Sequence, residues 1–282
     1  SVIARPLYEA LKVDVFPLYC EPDGHFPAHH PDPSVPANLK DLIATVQAEK
    51  ADCGIAFDGD GDRLGVVTPL GHIIWADRQL MLFADHVLKH NAGASVIYDV
   101  KCTQHLAPWI KARKGVPVMH NTGHALIKAK MQELKSPLAG EMSGHFFFND
   151  RWFGFDDALY SGARLLELLS ESTLTPQQVF DKLPNSVNTP EIQVHVSESE
   201  KFQIIDKLKQ QNPFKDAVSV TIDGLRVEFK DGWGLVRASN TSPCLVIRFE
   251  ADTKERLQEI MGAFKTFILK VAPHLDVSSI KI

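Results

Sequence analysis

Between Asp77 and Leu169 strand-like and helix-like segments take turns, and no other feature constrains the fold of this chain as strongly. Residues 95–100, 116–119, 138–141 and 145–148 are short runs of strand formers. Asp77 reads as the N-cap of a helix carrying Leu80, Phe83, Ala84, Val87 and Leu88 on one face. Further helices are expected near residues 104–112, 125–134 and 157–169. Alternation of this kind covers both faces of a sheet with helices and predicts a three-layer α/β domain. Thr175-Pro176 then opens a short helix with proline at its first position.

The sequence on either side reads differently. Residues 13–18 alternate like a strand, a proline-rich loop runs through Pro36, and a helix is expected over residues 38–50. Cys53 to Phe57 is a short apolar run, and Val66-Val67 and Ile73-Ile74 follow as strands around a turn at residues 69–71. This opening block resembles the tail of a domain. Residues 184–190 are the best linker candidate. Beyond them come a strand at Ile192, Val194 and Val196, a helix through Phe202, Ile205 and Leu208, and hairpin turns at Asp223-Gly224 and Asp231-Gly232. A strand at Leu245, Ile247 and Phe249 and a helix over residues 253–271 complete a smaller α+β domain with an antiparallel sheet. The expected divisions are residues 1–75, 76–184 and 185–282.

With 282 residues, roughly two domains of ordinary size are expected. The net charge of −5 argues against a broad nucleic-acid surface, and no apolar run approaches the ~20 residues of a membrane span. Cys20, Cys53, Cys102 and Cys244 form no CxxC pair and read as reduced thiols, so a cytoplasmic location is expected.

Three loops carry chemistry. In the first, Asp58-Gly59-Asp60-Gly61-Asp62-Arg63, carboxylates at alternate positions are separated by glycines. The backbone can curl so that their oxygens converge, and converging carboxylates repel unless a cation joins them. Such hard ligands suit Mg²⁺, Ca²⁺ or Mn²⁺ over zinc. An EF-hand is excluded, because its sixth and twelfth positions would fall on Arg63 and Pro69. The second loop, Gly140-Glu141-Met142-Ser143-Gly144-His145, offers a carboxylate, a hydroxyl and an imidazole suited to sugar hydroxyls, or else a satisfied turn. Lys101 and His124 lie at the ends of other α/β elements, where ligand contacts collect. The third, Arg237-Ala238-Ser239-Asn240-Thr241-Ser242-Pro243, can cradle an anion or close on itself as a polar hairpin loop. No P-loop, HExxH or GxSxG pattern is present.

In this order, together with Val100-Lys101-Cys102-Thr103, Thr122-Gly123-His124 and the stretch from Arg151 to Asp157, the loops resemble the α-D-phosphohexomutase superfamily, in particular its bacterial phosphomannomutase/phosphoglucomutase branch. The resemblance runs along essentially the whole chain. It implies the end of domain 2, all of domain 3 and all of domain 4 of an enzyme with four domains around a central cleft. It implies phosphate transfer between the 1- and 6-positions of mannose or glucose through a phosphoserine and a hexose 1,6-bisphosphate. Asp58, Asp60 and Asp62 would hold one Mg²⁺, with Arg63 beside the transferring group. Glu141 and Ser143 would bind the sugar 3- and 4-hydroxyls beside His145, with Lys101 and His124 lining the sugar. Arg237, Ser239, Asn240 and Thr241 would grip the non-reacting phosphate. The family's phosphoserine segment does not occur in this sequence, so the chain alone is expected to be inactive and to need the missing N-terminal domains. Hexose phosphates are the expected ligands, with no nucleic-acid or membrane partner, and a monomer is expected. The rival readings are a non-catalytic sugar-phosphate binding module and an aspartate-nucleophile phosphatase using Asp58 and Asp60.

Overall fold

The computed structural model describes residues 2–281 and contains two compact units. The first comprises residues 1–118 and 124–184; the second comprises Met119–Gly123 and Asn185–Ile282.

The first unit opens with α1 (Ala4–Ala10), a 3-10 turn at Pro36–Leu39 and α2 (Lys40–Glu49). The strands β1 (Gly54–Phe57), β2 (Leu64–Val67) and β3 (Ile73–Ile74) form an antiparallel sheet in that order. Leu39 and Val46, with Leu42 and Ile43 beside them, pack on Val67, Ala56 and Ile73, which accounts for the helical spacing read in the sequence. Residues 13–18 are not a strand. Val13 and Val15 do turn inward against Tyr8, Phe57 and Leu159, but no neighbouring strand completes a ladder. Alternation here records burial without sheet pairing.

Next come α3 (Ala76–Leu88), β4 (Ser95–Asp99), α4 (Leu106–Ala112), β5 (Val116–His120), α5 (His124–Leu134), β6 (Leu138–Gly140), β7 (Phe146–Phe148), α6 (Ala158–Ser170) and α7 (Pro176–Phe180). Their four strands lie in the order β5-β4-β6-β7, with β6 parallel to β4 and antiparallel to β7. The three phenylalanines of β7 divide by strand alternation. Phe146 and Phe148 meet Phe83 of α3 edge-on, whereas Phe147 joins Ile97, Ala139, Ile127 and Met131 on the α5 side. Helices thus cover both faces, giving the three layers. The expected N-cap of α3 is displaced: Trp75 holds that position, and Asp77 is buried in the first turn, paired with Arg78 at 2.9 Å and accepting from the Thr103 N–H. Asp157 and Thr175 do cap α6 and α7, the latter in a full capping box.

The second unit holds β8 (Val187–Asn188), β9 (Ile192–His195), α8 (Lys201–Gln210), β10 (Val218–Val220), β11 (Leu225–Phe229), β12 (Gly232–Ala238), β13 (Cys244–Ala251) and α9 (Lys254–Val271). Its antiparallel sheet runs β10-β11-β12-β13-β8, with β9 also on β13. The residues read as a linker therefore include β8, which pairs with Glu250 and Ala251. Alternate residues of β11, β12 and β13 meet Ile204, Leu208, Ile260, Phe264 and Ile268 of the helices in one core. No helix among the described residues is long and apolar enough to cross a membrane.

Candidate functional site

The first loop leaves β1 at Asp58 and enters β2 at Leu64, so the strand pair brings both of its ends together. Asp58 is the buried anchor. Its Oδ1 accepts from the N–H groups of Asp62 at 3.1 Å and Arg63 at 3.0 Å, and its Oδ2 accepts from Arg63 Nε at 2.6 Å. Burial alone would raise the Asp58 carboxyl, but these hydrogen bonds hold it below its ordinary value. The Gly61 carbonyl accepts from the Ala158 N–H at 3.0 Å, which fastens the loop to the start of α6. One carboxylate oxygen each from Asp58, Asp60 and Asp62 falls within 4.8 Å of the others. Burial raises Asp62 to about 6, with Asp58 and Asp60 adding to the rise and His145 opposing it. Three carboxylates so close that one is raised to about 6 fit a hard divalent cation.

The second loop lies directly beside the first. Arg63 and His145 form an antiparallel bridge, and the Leu64 N–H donates to the Gly144 carbonyl at 3.0 Å. Gly144 adopts φ +104°, and a Cβ there would lie 3.2 Å from the Leu64 carbonyl oxygen. Close approach of two backbones at a positive φ is a position for glycine. The turn closes on itself through Glu141 N–H to His145 O at 2.9 Å and Gly144 N–H to Glu141 O at 3.1 Å. His145 stands 2.8 Å from Ser143 Oγ and 3.3 Å from Glu141 Oε2 through Nδ1, and 3.2 Å from Asp62 Oδ2 through Nε2. Burial would lower its pKa, but Glu141, Asp62 and Asp156 outweigh burial and raise it. The structure therefore brings Asp58, Asp60, Asp62, Arg63, Glu141, Ser143 and His145 into one neighbourhood.

His124, the first residue of α5, stacks on His145 at 5.8 Å between ring centres, and its Nδ1 pairs with Asp156 Oδ2 at 2.9 Å. Lys101 follows β4 and is buried, with Nζ 3.6 Å from Asp99 Oδ2. The reading of the sequence passed over Asp99 as a site residue, and it sits at a junction: Oδ1 accepts from the N–H groups of Lys101 at 3.2 Å and Met142 at 3.4 Å. Asp156 is likewise shared, between His124 and Lys128 Nζ at 2.9 Å. Burial would raise Asp156, but hydrogen bonds from Lys128 and His124 and the charge of Lys128 hold it down. A position at the C-terminal end of a strand was the available signal for Asp99.

The third loop joins β12 to β13 in the second unit. Arg237 is buried, and the backbone folds around Ser239, whose Oγ accepts from Thr241 N–H at 3.3 Å and Ser242 N–H at 3.1 Å. Asn240 and Thr241 are exposed. A buried guanidinium beside exposed hydroxyl and amide groups is suited to an anion.

Comparison with known proteins agrees with this layout. Residues 1–71, 75–187 and 191–266 match the family models for phosphoglucomutase/phosphomannomutase alpha/beta/alpha domain II, alpha/beta/alpha domain III and the C-terminal domain. Phosphomannomutase/phosphoglucomutase of Pseudomonas aeruginosa PAO1 is 56% identical over 277 residues, and that of Pseudomonas putida KT2440 is 54% identical; each match covers 98% of this chain and 60% of the relative. A crystal structure of a phosphoglucomutase/phosphomannomutase family protein from Burkholderia thailandensis superposes with a TM-score of 0.92 at 52% identity, covering 97% of this chain and 58% of that one. The chain thus spans about three-fifths of the length of these relatives. On the sequence matches and the shared fold together, the chain belongs to the phosphoglucomutase/phosphomannomutase family.

Proposed function

We propose that this chain carries the metal, sugar and phosphate loops of an enzyme that interconverts hexose 1-phosphate and hexose 6-phosphate, with mannose and glucose as the sugars. The observation that carries this reading is the joining of the first two loops. Asp62, one of three converging carboxylates, is 3.2 Å from His145, which also reaches Glu141 and Ser143. A site that holds a divalent ion within one side chain of a cluster of sugar-binding groups is suited to phosphoryl transfer on a sugar.

In this reading Asp58, Asp60 and Asp62 hold one Mg²⁺, which when bound supplies positive charge against a transferring phosphoryl group. Arg63, fixed through Nε by Asp58 and with Nη1 3.5 Å from Asp32 Oδ1, offers Nη2 to the same group. Glu141 accepts from sugar hydroxyls, Ser143 adds a hydroxyl, and the His145 ring hydrogen-bonds beside them. Lys101 and His124 line the sugar from the same unit. Arg237, Ser239, Asn240 and Thr241 hold the phosphate that does not react. The phosphoserine and the hexose 1,6-bisphosphate intermediate belong to the reaction of the longer polypeptide, since no serine in the first two loops stands among the carboxylates except Ser143, here a ligand contact. Cys20, Cys53, Cys102 and Cys244, which form no disulfide among the described residues, support a reducing cytoplasm as the place of action, and we assign a monomer.

The experiment is coupled detection of glucose 6-phosphate from glucose 1-phosphate with Mg²⁺ and glucose 1,6-bisphosphate. The 282-residue chain alone is expected to give none, and a polypeptide extended at its N-terminus to the length of the relatives is expected to turn over. Turnover by the short chain, or none by the extended one, overturns the proposal. An aspartate nucleophile at Asp58 is disfavoured, because hydrogen bonds already engage both oxygens of that carboxylate.

A further inference from the structure

Within the second unit, the loop after β12 is fastened to two other stretches of chain by a compact set of hydrogen bonds. Asp223 Oδ2 accepts from Arg237 Nε at 2.9 Å and from the Thr122 N–H at 2.9 Å. The Thr122 carbonyl accepts from Asn240 Nδ2 at 3.0 Å, and Asn121 Nδ2 donates to the Ile222 carbonyl at 2.8 Å. Arg237 is only 4% exposed, and its Nη2 is buried with no hydrogen-bond partner among the described residues. A buried cationic donor left open is costly, and an arriving anion removes that cost.

The backbone beside Asp223 is pressed against the same arginine. Gly224 has φ +82°, and a Cβ there would lie 2.3 Å from the Val236 carbonyl oxygen and 2.6 Å from Arg237 Cβ. The turn at Asp223-Gly224 therefore approaches Arg237 more closely than any residue with a side chain could. This approach allows one carboxylate oxygen to meet Nε at the inner edge of the guanidinium.

We infer that Asp223 is a positioning residue for phosphate recognition: it fixes the plane of Arg237 through Nε, leaves Nη2 to a phosphate oxygen, and through Thr122 steadies Asn240 in the same loop. The inference rests on the phosphate role proposed above for Arg237. A guanidinium held on one edge loses little further freedom when its other edge binds an oxyanion, so the rigidity is expressed as affinity. Asp223 itself touches no phosphate and acts only through its neighbours.

The test uses the N-terminally extended enzyme and a double-mutant cycle. Asp223→Ala is expected to raise the KM for glucose 1-phosphate about tenfold with kcat changed far less, the loss expected for one charge-assisted hydrogen bond. In an Arg237→Ala background the same change is expected to add much less than tenfold, because only the route through Thr122 to Asn240 remains. An unchanged KM, or an equal rise in both backgrounds, overturns the inference. If the extended enzyme shows no turnover at all, the mutase reading fails separately. Asp223 is then judged on binding of inorganic phosphate to the 282-residue chain, followed through the amide signals of Ser239, Thr241 and Ser242. About tenfold weaker binding in the Ala variant supports the inference, and equal binding refutes it. Should the Ala variant not fold, Asp223→Asn, which keeps size and one acceptor, carries the same two measurements with about a threefold expected effect.

Discussion

His145 Nε2 lies 3.2 Å from Asp62 Oδ2 while its Nδ1 lies 3.3 Å from Glu141 Oε2, so one ring spans the two loops of the first unit. The flanking carboxylates raise its pKa above the ordinary histidine value despite burial. An NMR titration of the ring is expected to show this, and Asp62→Asn or saturating Mg²⁺ is expected to move the midpoint down. Both remove negative charge next to Nε2. A midpoint that ignores both would show that the ring and Asp62 are not paired.

Metal binding should depend on pH through Asp62, whose carboxyl is raised to about 6. A ligating carboxylate must lose its proton, so affinity is expected to be full above about pH 7 and to fall as pH drops below the raised value. The slope there approaches tenfold per pH unit for one proton. Mn²⁺ binding to the chain, followed by electron paramagnetic resonance at pH 5 and pH 7.5, checks this. For the same reason, added metal should raise the melting temperature at pH 7.5 far more than at pH 5.

Gly144→Ala is expected to destabilise the first unit by about 1–3 kcal/mol, the cost of an unfavourable backbone conformation. The new methyl would also press on the Leu64 carbonyl oxygen, 3.2 Å away, and loosen the join between the two loops. Thermal melts of the variant, with Mn²⁺ affinity as a second measurement, report both effects.

Asp150 and Arg164 form a two-pronged pair, with Nη1–Oδ1 2.8 Å and Nη2–Oδ2 3.0 Å; Arg164 is buried and Asp150 partly so. Asp150→Ala leaves the guanidinium over the Phe148 ring with Glu167 Oε2, 3.1 Å from Nε, as its remaining anion, and a loss of roughly 1–3 kcal/mol is expected in denaturant unfolding. Burial would raise Asp150, but Arg164 holds it below its ordinary value. Its stabilising contribution is therefore present at neutral pH and lost as pH falls through that lowered value.

Much of this molecule is legible in the sequence because periodicity reports burial directly. The spacing of Leu42, Ile43 and Val46, and the alternation through Leu245, Ile247 and Phe249, translate into α2 and β13 since each apolar residue finds a core. The same signal misleads at Val13 and Val15, where inward-facing side chains lack a neighbouring strand. It also hides β8 among prolines and asparagines, because two residues paired to the end of β13 leave no period to detect. Within the site, the convergence of Asp58, Asp60 and Asp62 follows from local spacing. Asp99, Asp156 and Asp223 do not announce themselves, because each earns its place from partners distant in the chain: Met142, His124 and Arg237.

The hydrogen bonds around Asp58 decide how many of its electron pairs remain on offer. Two N–H groups occupy Oδ1 and one guanidinium nitrogen occupies one side of Oδ2, so these three hydrogen bonds leave one lone pair of Oδ2. An ion seated there meets Asp58 in monodentate fashion only. Larger ions such as Ca²⁺, which gather seven or eight oxygens and often take a carboxylate by both atoms, are thereby disadvantaged relative to a small octahedral one. Arginine at position 63 would thus bias the site toward a small ion through Asp58 alone.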